Sequence, residues 1–389
     1  MRVLIVSGIW PPDVGGPASH GPGIARFLAG RGHTVSAVVS AAGPVAEPGF
    51  AVRVTRRDRP LVLRMAAGMA ALARAVRQVD VVYATGIYHR TAAACRLAGT
   101  PLVVKLVNDP AYERARNLGR TTSTLEAFQH DDGGDPVVRA LRRARDRALD
   151  CAGELIVPSE YLARIARGWG LRPAVTVISN PAVVTASAAS REQLRAEFEM
   201  RGVTAVFAGR LVRQKNLQLA IGALRDVPGL NLAIVGDGPE APALAQAVAA
   251  AGVGDRVRIH PPVSQQRAGD WMRAADVTLL PSDWENFPHA VVESLAQGTP
   301  VIATAVGGVP EIVEHGRTGW LVGAGDREAL TAALARFVGD DALRLRLRSG
   351  AGAAGDRYRP ERLFALAEDV LLRTARRREP AAAVATGFS

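Results

Sequence analysis

The sequence predicts an α/β fold of two doubly wound parallel sheets, and three observations carry that prediction. Short β-branched runs recur, each followed by a turn and then by an amphipathic helical pattern. Near-continuous apolar strands alternating with helices belong to parallel sheets covered on both faces. The rhythm runs twice along 389 residues, enough for two domains of ordinary size with a core each.

Taken in order, the first half offers RVLIVS (2–7), TVSAVVS (34–40), VVYAT (81–85), PLVVKLV (101–107), ELIVPS (154–159) and AVTVIS (174–179) as strands. Helical stretches such as GPGIARFLAGRGH and LRMAAGMAALARAVRQV separate them, whereas 42–60 and 109–136 are the least patterned segments. A Pro-, Ala- and Ser-rich passage, NPAVVTASAASREQ (180–193), marks the boundary, so the domains are expected over 1–185 and 186–358. The second half repeats the pattern with TAVFAGR (204–210), NLAIVGDG (231–238), RVRIHPP (256–262), DVTLLPS (276–282), TPVIATAVGG (299–308) and GWLVG (319–323). A last helix near 359–376 is expected to return to the first domain, and the tail EPAAAVATGFS has no pattern. No short-period repeat is present.

Composition narrows the function classes. Hydrophobic residues make up 48%, charged residues 22% and aromatics 5%, the profile of a globular protein. No apolar run approaches the ~18 residues that span a bilayer. MRVLIVSGIWPP reads as a first strand rather than a signal peptide, so the expected compartment is the cytoplasm. Cys95 and Cys151 fit neither a disulfide framework nor a metal pattern. The net charge of +11 is concentrated in arginine clusters at 53–59, 139–147 and 373–378. These are either solvated helix faces or a surface for peripheral contact with the anionic inner face of a membrane. No basic segment carries interleaved aromatics, which argues against nucleic acid.

Chemistry-bearing residues collect after the strands of the second half. Gly209-Arg210, Gly236-Asp237-Gly238-Pro239, Pro261-Pro262-Val263, Asp283 to Pro288 and Gly307-Gly308 each follow a strand. In a parallel sheet these positions share the carboxyl edge, where ligands bind. Arg210 and Lys215 in GRLVRQKN can together hold a diphosphate. Pro288 suits the first turn of a helix running to Gln297 and closed by Gly298, whose N-terminus would face phosphate oxygens. Glu285 falls in the loop and Glu293 inside that helix, about 7–8 Å along its axis. That placement suits two parts of one long ligand better than a glycosidase pair, whose carboxyls flank one bond at ~5–9 Å. A plain polar face of His289, Glu293 and Gln297 is the alternative. In the first half, Gly15-Gly16 allow either close backbone approach to a ligand or a tight turn. No G-x-G-x-x-G is present, so the dinucleotide fingerprint is absent. Asp109 follows a strand end and is either an acidic cleft residue or a cap before Pro110.

AGRLVRQKN, VGDGPE and WENFPHAVVESLAQGTPVIATAVGGVPEIVEHGRTGWLV resemble the family-four retaining glycosyltransferases of the GT-B fold (glycosyl transferases group 1), and the likeness runs along nearly the whole chain. The resemblance implies two Rossmann-like domains facing a central cleft, with the C-terminal helix packed back on the N-terminal domain. It implies transfer of a sugar from a nucleotide-diphosphate sugar, UDP before GDP, to a small-molecule, glycan or lipid-linked hydroxyl acceptor. Anomeric configuration is retained by front-face attack, with no metal and no cofactor beyond the donor. By the same resemblance Arg210 and Lys215 hold the diphosphate, with Gly15-Gly16 closing over it. Glu293 takes the ribose and Glu285 the sugar hydroxyls, and backbone near Val263 meets the base. Asn286, Phe287, Pro288 and His289 serve sugar and phosphate, and Gly236 lies beside the nucleotide. The family's usual histidines, one of them often in contact with the sugar, are replaced by Thr85 in YATG and by Val107-Asn108-Asp109, which makes Asp109 the candidate for that role and, with Glu285, a candidate catalytic residue. An epimerase or hydrolase of sugar nucleotides, and a non-catalytic protein docking on anionic membranes, are the alternatives.

Overall fold

The computed structural model describes residues 1–377 except 12, 14, 15, 42, 44, 46, 59, 60, 132, 133 and 184–186. The chain divides into two compact units, Met1–Ser179 with the chain from Pro360, and Asn180–Arg359. The boundary expected at 185/186 falls on residues outside that description.

In unit 1, β1 (Arg2–Ser7), α1 (Gly16–Gly30), β2 (Thr34–Ala41), β3 (Ala51–Arg56), α2 (Leu61–Ala75), β4 (Val81–Ala84) and α3 (Tyr88–Ala98) come first. They are followed by β5 (Leu102–Lys105), α4 (Pro110–Asn117), α5 (Leu125–His130), α6 (Pro136–Leu149), β6 (Glu154–Val157), α7 (Glu160–Gly168) and β7 (Ala174–Val177). The sheet order is β3-β2-β1-β4-β5-β6-β7, and every pair is parallel. Leu4 at its centre faces Ser36 on one side and Val82 on the other. Val3 to Val6 are fully buried, as a strand covered on both faces requires. The chain winds outward from β1 to β3 and returns to β4, so the direction reverses between β1 and β4. There the two loops meet closely: a Cβ on Gly86 would lie 2.9 Å from the Gly8 nitrogen.

Unit 2 contains α8 (Arg191–Glu197), β8 (Val203–Ala208), α9 (Leu217–Leu224), β9 (Leu230–Val235), α10 (Ala241–Ala251), β10 (Val257–His260) and α11 (Gln265–Ala274). After these come β11 (Val277–Leu280), α12 (His289–Ala296), β12 (Val301–Thr304), α13 (Val309–Ile312), β13 (Gly319–Val322), α14 (Arg327–Gly339) and α15 (Asp341–Gly355). A capping box starts α8: Ser190 Oγ accepts from Gln193 N at 3.2 Å, and Gln193 Oε1 accepts from Ser190 N at 2.7 Å. The sheet is parallel throughout, in the order β10-β9-β8-β11-β12-β13. Its winding reverses between β8 and β11.

The last helix, α16 (Pro360–Arg376), belongs to unit 1. It packs on α1 and on β4, β5 and β6, burying Leu363, Phe364, Ala367, Val370 and Leu371. Glycines give it room, since a Cβ on Gly23 would lie 2.9 Å from Phe364 Cζ and one on Gly153 2.9 Å from Thr374 Cγ2. Two carboxylates fasten it. Glu368 accepts from His33 Nε2 at 2.7 Å, with Arg31 Nε 3.3 Å from its other oxygen, and Arg373 pairs with the buried Glu154. Arg373→Ala strands Glu154, although Thr176 Oγ1 still donates to it. Because Arg373 is half-exposed, we expect a loss of about 1–3 kcal/mol in urea unfolding, below the usual cost of breaking a fully buried pair.

The structure also holds elements in the two unpatterned segments. β3 is the sheet's edge strand and only partly buried, so its apolar signal is broken by Arg53 and Arg56. α4 and α5 are short, and side-chain caps at Asp109 and Thr124 mark their starts.

Candidate active site

The two loops after β8 and β11 form the site, because the chain reverses its winding between those strands and leaves a crevice at their carboxyl ends. The neighbouring β8 and β9 ends approach backbone to backbone. Gly209 N donates to Val235 O at 3.0 Å and Gly236 N to His260 O at 3.1 Å. A Cβ on Gly236 would sit 1.9 Å from Gly209 O, so only glycine fits. Arg210 follows directly. It is exposed, and among the described residues its guanidinium makes no hydrogen bond or ion pair.

The turn after Arg210 is stitched to the loop after β11. Asp283 N donates to Gln214 O at 2.9 Å, Gln214 Nε2 to Trp284 O at 2.6 Å, and Asn216 Nδ2 to Asp283 Oδ1 at 2.6 Å. Asn216 takes φ 45°, a left-handed conformation its short amide tolerates, and turns the chain into α9. This stitching brings Lys215 Nζ onto Glu285 Oε1 as an ion pair. The same oxygen accepts from Ser282 Oγ at 2.7 Å, and Thr304 Oγ1 holds Ser282 O at 2.5 Å. Glu285 is 5% exposed and Ser282 fully buried. Two residues predicted to grip different parts of a ligand therefore touch each other. The contact leaves capacity on both sides: an ammonium has three donors, and a carboxylate has a second oxygen.

Asn286, Phe287 and Pro288 are buried along the same loop, and Asn286 O accepts from Gly308 N at 3.0 Å, tying it to the β12 loop. Pro288 does not occupy the first turn as expected. It is the N-cap residue of α12, with φ −71° and ψ 118°, and offers no side-chain cap. The helix ends at Ala296, and Gly298 closes it at φ 71°. His289 Nε2 lies 3.3 Å from Asn180 Nδ2. Glu293 stands one turn into α12, about 6 Å along the axis from His289. Gln265 Nε2, from the first turn of α11, donates to its Oε1 at 2.8 Å, and burial pushes the Glu293 carboxyl up to about 7. Val263 is 38% exposed in the loop before α11. A cavity of about 490 Å³ opens beside this edge, lined among others by Arg213, Asn216, Glu240 and Asp283. Of the residues singled out in the sequence it takes in Asp283 alone, and the side-chain chemistry lies beside it, at the winding reversal.

In unit 1, the structure gives Asp109 the cap role that the sequence offered as the alternative to a cleft residue in contact with the sugar. It is fully buried and serves as the N-cap of α4, with Oδ1 accepting from Ala111 N at 2.8 Å. Oδ2 accepts from Gln129 Nε2 at 3.1 Å and Arg145 Nη1 at 2.8 Å. Arg145 in turn lies over Trp169, 4.0 Å from the ring centroid. With both oxygens committed and no exposed surface, Asp109 has no access to a substrate. Thr85 is 6% exposed, and its N–H donates to Val6 O at 2.8 Å. Gly16 is the first residue of α1, and Gly15 lies outside the described residues. Sequence reasoning missed Ser282, Gln214 and Gln265. Their polar side chains look ordinary in isolation, and only the fold puts them beside the two glutamates.

The chain is similar to known proteins along both halves of its sequence. Residues 190–353 match the family described as "Glycosyl transferases group 1", and residues 15–181 match "Glycosyl transferase 4-like domain". The D-inositol 3-phosphate glycosyltransferase of Xylanimonas cellulosilytica is 36% identical over 203 residues, 51% of this chain and 48% of that protein. The enzyme of the same name from Streptomyces scabiei is 36% identical over 253 residues, 59% of this chain and 54% of its own. The chain thus spans about half the length of these curated relatives. Among solved structures, HepE of Anabaena in complex with UDP superposes with a TM-score of 0.77 at 22% identity, covering 96% of this chain and 100% of that one. Sucrose-phosphate synthase of Thermosynechococcus elongatus gives 0.77 at 18%, covering 96% and 98%. Both likenesses speak to the fold alone. With two parallel Rossmann-like sheets, and with a family match on each half of the sequence, the chain belongs to the group 1 glycosyltransferases and has the GT-B fold.

Proposed function

We propose that this chain transfers a sugar from a nucleotide-diphosphate sugar, UDP-linked before GDP-linked, to a hydroxyl acceptor with retention of configuration. The observation that carries the reading is Arg210, exposed and unpaired among the described residues, five positions before the Lys215 that pairs with Glu285 at the winding reversal. Transfer requires a diphosphate to leave and a sugar to acquire oxocarbenium character. Arg210, the two remaining Lys215 protons and the uncapped start of α12 meet the negative charge. Glu285, held by Ser282 and Lys215, meets the positive side. Glu293 suits the ribose hydroxyls, and the exposed backbone at Val263 suits the base. UDP or UDP-glucose bound to HepE is consistent with the donor class. Charge neutralisation by side chains gives the reaction no need of a metal, so excess EDTA is expected to leave the rate unchanged.

Among the described residues no helix is long and apolar enough to cross a membrane. We place the protein in the cytoplasm; Arg145 and Arg373 are committed to Asp109 and Glu154, so peripheral contact with anionic lipid falls to exposed cluster members such as Arg53, Arg143, Arg147 and Arg376.

The test is a thermal-shift panel of nucleotide sugars, followed by mass spectrometry of products formed with acceptor pools. A sugar nucleotide should stabilise the protein, and an acceptor should gain the mass of one sugar. No stabilisation by any sugar nucleotide overturns the reading. Release of free sugar at the same rate without acceptor would identify a hydrolase instead.

A further inference from the structure

Burial pushes the Glu293 carboxyl up to about 7, and a single amide supports it. Its only hydrogen-bond partner among the described residues is Gln265, and no ion pair reaches it. On its own helix, His289 stands one turn before it and faces Asn180. From α11 the facing group is the Gln265 amide, and among the described residues no charged side chain from α11, α13, α15, β11, β12 or the turn at 356–358, Asp356 and Arg357 included, acts on Glu293. The two residues reach the same edge for separate reasons. Gln265 begins α11 directly after the Val263 loop, with Ser264 as its cap, and Glu293 lies one turn into α12.

We propose that Gln265 is a positioning residue for the nucleotide: by donating to Oε1 it fixes the Glu293 carboxyl and leaves Oε2 for a ribose hydroxyl. The inference rests on the donor reading above. A carboxylate accepts two hydroxyl donors, whereas a protonated carboxyl must give one acceptor position to its own proton. Donor affinity should therefore follow the charge of Glu293. An amide N–H favours the charged form and burial disfavours it, so the two act in opposition on this group. The consequence is a binding site whose grip on the ribose changes close to neutral pH, with Gln265 setting where.

The probes are UDP-glucose and GDP-mannose, whose diphosphate diesters gain no proton between pH 6 and 8.5. With the Glu293 carboxyl pushed to about 7, the wild-type dissociation constant should rise about tenfold from pH 8 to pH 6 as the carboxylate is protonated. Glu293→Gln should bind weakly at every pH. Gln265→Met should bind like wild type at pH 8.5 and about twofold more weakly at pH 7, because its midpoint moves upward. A merely structural Gln265 would weaken binding equally at both pH values, and that result overturns the proposal.

A second measurement does not depend on the donor. The ¹³C carboxyl titration of Glu293, identified by its loss in Glu293→Gln, should shift to higher pH in Gln265→Met. If neither sugar nucleotide binds, the donor reading fails, and the titration alone decides whether Gln265 governs Glu293. An unmoved titration overturns the inference even where donor binds normally.

Discussion

Glu285→Ala is expected to lower transfer by about 10²–10³-fold, the range for removing one preorganised electrostatic group from a transition state. The same substitution frees Lys215 from its partner. Ground-state donor binding, which Lys215 can then serve with all three protons, should change little or tighten, so the loss should fall on kcat rather than on KM. Lys215→Ala differs. It removes a phosphate contact and leaves a carboxylate that is 5% exposed with only Ser282 to support it. That variant should lose both activity and about 2–4 kcal/mol of stability, as when one member of a buried pair is deleted. In Lys215→Ala/Glu285→Ala the stability should largely return while activity does not. Initial rates and urea unfolding of the two single variants and the double variant complete the cycle. A Glu285→Ala enzyme with the wild-type rate would remove Glu285 from the site.

Asp109→Ala should be among the most destabilising single substitutions in unit 1. It deletes the α4 cap and leaves the Arg145 guanidinium, 5% exposed, without its buried partner. Breaking such a pair costs about 3–5 kcal/mol, and a lost cap adds about 1. The Gln129 amide is released as well. It links Asp109 to the Trp169 indole, whose Nε1 donates to Gln129 Oε1 at 2.8 Å. Tryptophan fluorescence during urea unfolding should report the change directly. Asp109→Asn keeps one acceptor oxygen and should lose less stability. Under conditions where it is fully folded, its kcat/KM should match wild type. If Asp109→Asn were as stable as wild type yet a thousandfold slower, the residue would be catalytic after all.

Asp109 also shows where sequence reading stops. Its position after a strand was legible, but the two facts that decide its role came from remote residues. Gln129 and Arg145 lie 20 and 36 positions away and reach it only because α5 and α6 pack beside α4. Strands buried on both faces were plain in the sequence: β1, β4, β5, β6 and β11 all fall inside the predicted runs. β3 was hidden because an edge strand has to bury only part of itself, so arginines interrupt it. At the active site the loop positions of Arg210, Lys215 and Glu285 were legible from glycine and proline punctuation. The Lys215–Glu285 contact was not, because it depends on the Gln214 and Asn216 hydrogen bonds that lock two distant loops together.

The return of α16 to unit 1 has a consequence for the order in which a ribosome can finish this protein. Unit 2 is continuous in sequence, whereas unit 1 needs a segment made after it. At ~5–20 residues per second, α16 emerges roughly 10–40 s after β7. Through that interval the side of β4–β6 that α16 covers has no partner, while all of unit 2 is synthesised. The nascent chain thus carries a temporary apolar face on unit 1, and docking of α16 closes that unit. Until Phe364 reaches Gly23 and Arg373 reaches Glu154, the first domain is a natural client for a chaperone.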